Sequence, residues 1–115
     1  MSTPGTLARK LAAAGALHAL VSQFATLPDA TIEIRTIITP DEITEGLRVS
    51  LHDDIRAFEA WRAALAIDPD SVDAGSHGGT SWLITLTRYA GVPVEVVGYL
   101  PRTPAAPLLG TAAVA

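Results

Sequence analysis

The sequence predicts an α+β domain in which a four-stranded, mainly antiparallel sheet carries two helices on one face. Between Leu47 and Leu51 apolar residues alternate with polar ones, as in a half-buried strand, and after Asp53 they recur at helical spacing. Two further alternating segments flank Ala90-Gly91, a two-residue loop typical of a β-hairpin. Each half of the chain reads as one helix followed by two strands, so the predicted order is αββαββ.

The first helix is predicted to be capped by Thr3 or Thr6 and to run to about Ala25, with a flexible N-terminus at residues 1–5. Its apolar side chains cover about 200° of the helical wheel, which is more than one contact surface requires. We therefore expect this helix to contact the sheet and also either the second helix or a partner subunit. The apolar residues are Leu7, Leu11, Leu17, Leu20, Val21, Phe24 and Leu27.

The first two strands are predicted at residues 31–39 and 47–51, paired antiparallel. Consecutive apolar residues at Ile37 and Ile38 interrupt the alternation, which predicts a bulge or a strand end buried on both sides. The segment from Thr39 to Gly46 is predicted to be the loop that joins the two strands.

The second helix is predicted to begin after Asp53, which we expect to be its N-cap, while Asp54 adds favourable negative charge to the first turn. One face of this helix carries large core residues, namely Ile55, Phe58, Trp61 and Leu65. A second face is formed by small residues that would let another backbone approach closely, and it is a candidate interface: Ala57, Ala60 and Ala64.

After the second helix, residues 68–79 are predicted to be irregular, and residues 80–89 and 92–100 form the second hairpin. Pro93 indicates that the last strand begins at a sheet edge. The single domain is predicted to span residues 6–101, and residues 102–115 form a disordered tail rich in proline and alanine.

The sheet face opposite the helices is not predicted to be polar. The alternation of the last two strands favours four apolar or aromatic residues there, namely Leu83, Tyr89, Val97 and Tyr99. An apolar sheet face of this kind is either covered by a partner or used for binding. These residues are therefore the first candidate interface of a homodimer.

Composition excludes several classes of function. The chain has no cysteine, so it has no disulfide framework, thiol nucleophile or cysteine metal site. Its net charge of −4 has the wrong sign for a basic DNA-binding patch. The apolar stretch behind Arg9-Lys10 resembles a secretory signal, but His18 interrupts it and the spacing fits an amphipathic helix. We expect a cytoplasmic protein without a membrane span or a cofactor.

Two polar segments could carry chemistry. His52-Asp53-Asp54 could bind a metal or supply a general base, but it also fits a capped helix N-terminus without further function. The pair His52-Asp53 resembles one motif of metal-dependent phosphohydrolases, whose other ligands this chain lacks. The second segment could offer backbone N–H groups to an anion but fits a mobile loop better, and it comprises Ser76, His77, Gly78 and Gly79.

The segment LHDDIRAFEAWRAALAI, followed later by YAGVPVEVVGYLP, resembles short actinobacterial proteins from high-GC genomes. The resemblance spans residues 7–100 and implies no activity. Three hypotheses stay open: a non-catalytic interaction or regulatory protein that forms a homodimer, a nucleic-acid-associated accessory protein of a mobile element, and a small enzyme or ligand-binding protein that uses the two polar segments. The absence of converging catalytic groups in the sequence favours the first.

Overall fold

The computed structural model describes residues 5–52 and 54–100. Its helices are α1 (Leu11–Gln23), which continues a 3-10 turn at Leu7–Lys10, and α2 (Ile55–Ala64). Its strands are β1 (Thr31–Ile38), β2 (Ile43–His52), β3 (Asp73–His77), β4 (Thr80–Tyr89) and β5 (Val92–Leu100). The predicted tail at residues 102–115, most of the N-terminal segment and Asp53 lie outside the described residues.

The α+β class with two helices is confirmed, but the sheet is mixed and has five strands instead of four. The strand order is β1-β2-β5-β4-β3. Neighbouring strands are antiparallel except β2 and β5, which run parallel in the middle of the sheet. The connection from β2 through α2 is therefore a crossover to the far edge, and β4 and β5 then fill the space between.

The strand missing from the prediction is β3, which lies in the segment expected to be irregular. It has the sequence Asp-Ala-Gly-Ser-His, which contains no β-branched residue and no Phe, Tyr or Trp and has low intrinsic strand propensity. It is a strand because Gly78 and Gly79, both at positive φ, form a two-residue turn that returns the chain alongside β4. Tertiary pairing overrides propensity at this edge of the sheet.

The first hairpin differs from the prediction at its loop. β1 pairs with β2 without interruption from Thr31 to Ile38, so the expected bulge is absent and Ile37 and Ile38 lie on opposite faces. β2 begins at Ile43, and Gly46 lies inside the strand instead of closing the loop. A Cβ at Gly46 would lie 2.3 Å from the backbone oxygen of Pro93, so glycine is needed here for close approach of β2 and β5.

The N-cap of α2 is Asp54, one residue later than predicted. Its carboxylate accepts hydrogen bonds from the backbone N–H groups of Arg56 and Ala57. The helix is then tied to the preceding half of the chain, because Trp61 donates its indole N–H to the Pro28 carbonyl oxygen at 2.8 Å. Phe58 packs over Gly98, where a Cβ would approach its ring to 2.7 Å.

One hydrophobic core joins both helices to the same face of the sheet. It contains residues of α1, α2, β2 and β5, and the most buried large side chains include Leu20, Leu47, Val49, Phe58, Val94 and Val96. The opposite side of α1 is not covered, since Leu11 and Val21 are 76% and 53% exposed, and Leu7 in the preceding turn is 82% exposed. Within the described ranges, neither helix combines the length and hydropathy of a membrane span.

Candidate functional site

The second hairpin decides which side chains share a face of the sheet. Its two-residue turn places Tyr89 opposite Val92 and Leu83 opposite Gly98, on the face covered by the helices. Val97 and Tyr99 lie on the other face, opposite Ile84 and Trp82. The expectation that Leu83 and Tyr89 share a face with Val97 and Tyr99 is therefore wrong. We call the side opposite both helices the helix-free face.

An apolar patch, defined as Trp82, Ile84, Val97 and Tyr99, occupies the centre of the helix-free face. Together with Arg48 these side chains line a cavity of about 320 Å³. Val97 forms its floor and is only 2% exposed, while the other three are half-buried. The Trp82 ring leans over β3, where a Cβ on Gly75 would come within 2.7 Å of it. Gly75 thus leaves room for the tryptophan.

Aromatic rings continue from the patch toward β2. His52 stacks on Tyr99, with ring centroids 5.0 Å apart and an angle of 10° between the planes. Tyr99 in turn faces Trp82 across β5 and β4. Three rings therefore lie in one cross-strand row at the end of the sheet where β2 and β5 terminate. Such a row offers π-faces for stacking, with a polar tip on each ring.

The charged residues of the helix-free face form a second row beside the patch. Arg48 donates through Nε to the Glu95 carboxylate at 2.5 Å, across the parallel β2–β5 pair. On the other side of Arg48 the β1 residue Glu33 occupies the opposing position, and it is 3.4 Å from Arg35. Cross-strand pairs of opposite charge support the sheet, and they leave little net charge at the centre of this face.

The described residues of the two predicted polar segments do not converge. His52 ends β2, whereas His77 ends β3, and the strands β5 and β4 lie between them. Three interstrand spacings separate the two backbones by about 14 Å. Ser76, His77, Gly78 and Gly79 form the exposed tip of the β3–β4 hairpin. Over the ranges described, no three His, Asp or Glu side chains are placed to hold a metal ion.

The small-residue face of α2 is directed into the protein. Ala57 is buried in the core, and Ala60 and Ala64 are half-buried. Small side chains at these positions let α2 approach its neighbours inside the fold. This face therefore presents less free surface than the sequence pattern predicts.

Sequence reasoning missed three residues that line the cavity: Trp82 and Ile84 of the patch, and the adjacent Arg48. The signal for the first two was present, because a two-residue loop pairs even-numbered residues of β4 with odd-numbered residues of β5. Arg48 could not be placed beside them from local pattern, since its neighbour β5 follows it by more than forty residues. Comparisons with family models, curated protein sequences and solved structures found no match.

Proposed function

We propose that this protein is a non-catalytic interaction protein that acts as a homodimer. The observation that supports the interaction role is the apolar patch of the helix-free face. It combines aromatic and aliphatic side chains around a cavity, and the adjacent charges neutralise one another as Arg48–Glu95. Protein contacts have this composition at their centre, with aromatic residues enriched and unpaired charges rare.

The arrangement of polar groups also favours binding over catalysis. Acid–base or nucleophilic chemistry needs side chains that meet within hydrogen-bonding distance. His52 is stacked on Tyr99, whereas the strand of His77 lies three strand spacings, roughly 14 Å, from the strand of His52. The charged side chains near the patch are paired with one another: Arg48 joins β2 to Glu95 of β5, and Arg35 contacts Glu33 within β1.

The test is the solution mass by light scattering across a concentration series. A homodimer predicts a mass that doubles from the 12.0 kDa of the single chain as the concentration rises. A mass that stays at the monomer value up to the highest soluble concentration would contradict the proposal. Two surfaces are available to a second copy, the apolar patch and the outer edge of β1, so the dissociation constant of Tyr99→Asp should also be measured. Ile55→Asp, at an exposed apolar residue of α2, is the matched control.

A second function is favoured by one observation, the row of His52, Tyr99 and Trp82. Aromatic rings on a sheet face can stack on the bases of single-stranded nucleic acid. Net charge and the pairing of Arg48 with Glu95 weigh against it, because backbone phosphates require free basic groups. Binding of a single-stranded oligonucleotide at low salt that is lost in Tyr99→Ala would support this function, and no binding at low salt would end it.

A further inference from the structure

We propose that the second copy binds at the outer edge of β1, where two β1 strands pair antiparallel about a twofold axis through Ile34. The two five-stranded sheets then form one continuous sheet of ten strands. This inference rests on the proposed homodimer, but it places the interface at the β1 edge and leaves the apolar patch uncovered on the helix-free face of the joined sheet. It follows from three properties of β1: its free edge, its faces and the order of its charges.

The edge of β1 is long and unprotected. β1 ends the strand order, and within the described part of the chain it pairs only with β2. It has eight residues, so alternate residues direct their backbone N–H and C=O groups away from β2. Edge strands that avoid pairing carry proline, charged side chains, especially lysine, or a bulge. β1 has no proline, lysine or bulge, and its two charged residues, Glu33 and Arg35, have opposite signs and can therefore pair across a twofold axis.

The faces of the sheet restrict the possible registers. A twofold axis perpendicular to the sheet keeps the helix-free faces of both copies on the same side. Odd-numbered residues of β1 must then oppose odd-numbered residues, and even-numbered residues must oppose even-numbered ones. Pairing centred on Glu33 or on Arg35 would place two like charges directly opposite each other. Pairing centred on Ile34 places Glu33 opposite Arg35 of the partner subunit, and the twofold axis repeats this contact.

The charge row of the helix-free face supports the same register. Glu95, Arg48 and Glu33 occupy opposing positions on β5, β2 and β1, so the charge alternates from strand to strand. Arg35 of the partner subunit would be the next member and would continue the alternation. On its own β2 side Arg35 opposes Gly46, which offers no side chain, so its guanidinium has no cross-strand partner there. Glu33 and Arg35 are 51% and 42% exposed along their side chains.

The helix-covered side of the edge is apolar where the two copies would meet. Ile34 of each copy would oppose the other on the twofold axis, and Ile32 would oppose Thr36 of the partner subunit. Ile32 and Ile34 are half-buried against the core, so their outer flanks remain accessible at this edge. Directly opposed side chains in antiparallel strands have Cβ atoms roughly 5 Å apart, which allows aliphatic contact.

Charge-reversal variants test this inference in a complementary pair. Glu33→Arg makes both charged positions of the edge basic, and Arg35→Glu makes both acidic. Each variant alone should raise the dimer dissociation constant at least about tenfold, because like charges then face each other twice. An equimolar mixture of the two should form a heterodimer, since each position again opposes the opposite charge. Light scattering of the single variants and the mixture measures both effects.

The controls distinguish the β1 interface from a general effect of charge and from a dimer through the apolar patch. Arg56→Glu makes the same charge change at an exposed residue of α2 and should leave the dimer unchanged. Far-UV circular dichroism confirms that each variant folds. A wild-type dimer that both edge variants leave intact, or a mixture that stays monomeric, would overturn the β1 interface while the homodimer stands. Loss of the dimer in Tyr99→Asp alone would place the second copy on the apolar patch. A monomeric wild type would overturn the homodimer itself.

Discussion

The two edges of the sheet are built on different principles. β1 has eight residues, isoleucines on its helix-covered side and two opposite charges on its helix-free side. β3 has five residues, no large apolar side chain and a glycine under the Trp82 ring. Short, polar edge strands of the β3 kind are a device against association, whereas long strands with alternating apolar residues are templates for pairing.

The difference indicates that only one edge is suited to receive another strand. β3 is held against β4 by a tight glycine turn and by the tryptophan that covers Gly75. β1 is held by β2 and by Glu45, which accepts a hydrogen bond from Thr36 at 2.6 Å. In the proposed edge dimer the helix-free faces of both copies would lie on one side of the joined sheet, so both apolar patches would face the same direction.

Engineered cysteines test the difference between the edges with the largest expected effect, since the natural chain has no cysteine. Ile34→Cys should give a covalent dimer on mild oxidation, because the two thiols would oppose each other on the twofold axis. Ser76→Cys, at the β3 edge, should remain mostly monomeric under the same conditions. Non-reducing electrophoresis measures the covalent fraction.

Thr36→Cys is the control within the same strand. In the proposed register residue 36 opposes Ile32 of the partner subunit, so the two engineered thiols lie four residues apart, roughly 13 Å. Equal cross-linking of Thr36→Cys and Ile34→Cys would mean that collisions, not a fixed register, join the chains.

Glycine substitutions compare the β1–β2 region of the sheet with the β3–β4 region through stability. In Gly46→Ala the new methyl group would lie 2.3 Å from a backbone oxygen of β5 and cannot be accommodated by a side-chain rotation. We expect a loss of about 3 kcal/mol or more in the free energy of unfolding. In Gly75→Ala the methyl group meets the Trp82 ring at 2.7 Å, which can tilt outward, so the loss should be about 1 kcal/mol. Urea denaturation measures both, and equal losses would contradict the comparison.

The local elements of the fold were predictable because their signals lie within a few residues. The change of period after Asp53 predicted α2, and the Ala90-Gly91 loop predicted the β4–β5 hairpin, whose register confirms a two-residue turn. β3 was not predictable from composition, since its residues have low strand propensity. Gly78-Gly79 was the available signal, a two-residue glycine loop of the hairpin type.

The arrangement of the elements depends on contacts that local pattern does not contain. The parallel pairing of β2 with β5 brings Arg48 to Glu95 and creates the charge row. In the β4–β5 hairpin, even-numbered residues of β4 pair with odd-numbered residues of β5. Trp82 and Ile84, instead of Leu83 and Tyr89, therefore share a face with Val97 and Tyr99. One residue of error in this pairing moves a whole set of side chains to the other face. The sequence therefore predicted an apolar patch on this face, but only two of the four predicted residues, Val97 and Tyr99, belong to it.

Acidification tests the smallest of the differences between the two edges of the sheet, which is the stabilisation of β1 by Glu45. The hydrogen bond from Lys10 at 2.5 Å, followed by that from Thr36, lowers the pKa of the Glu45 carboxyl below its ordinary value of 4.5. Folding therefore favours the ionised form, so this stabilisation is complete above pH 4.5 and is lost as the pH falls through the lowered pKa. Glu45→Gln should reduce the dependence of unfolding on pH in that range.

Glu59 provides the internal reference for this experiment, because Arg62 lowers the pKa of the Glu59 carboxyl. The wild type and the Glu45→Gln variant both keep this Glu59–Arg62 pair. The difference between the wild type and Glu45→Gln then isolates the contact that joins the first turn of the chain to the β1–β2 hairpin. Below pH 4.5 the β1 amides of the wild type should exchange faster relative to the β3 amides, once both are corrected for intrinsic rates. The reason is that protonation of Glu45 weakens its hydrogen bond with Thr36 of β1. Parallel changes at the two edges would show that Glu45 stabilises the whole sheet and does not secure β1 in particular.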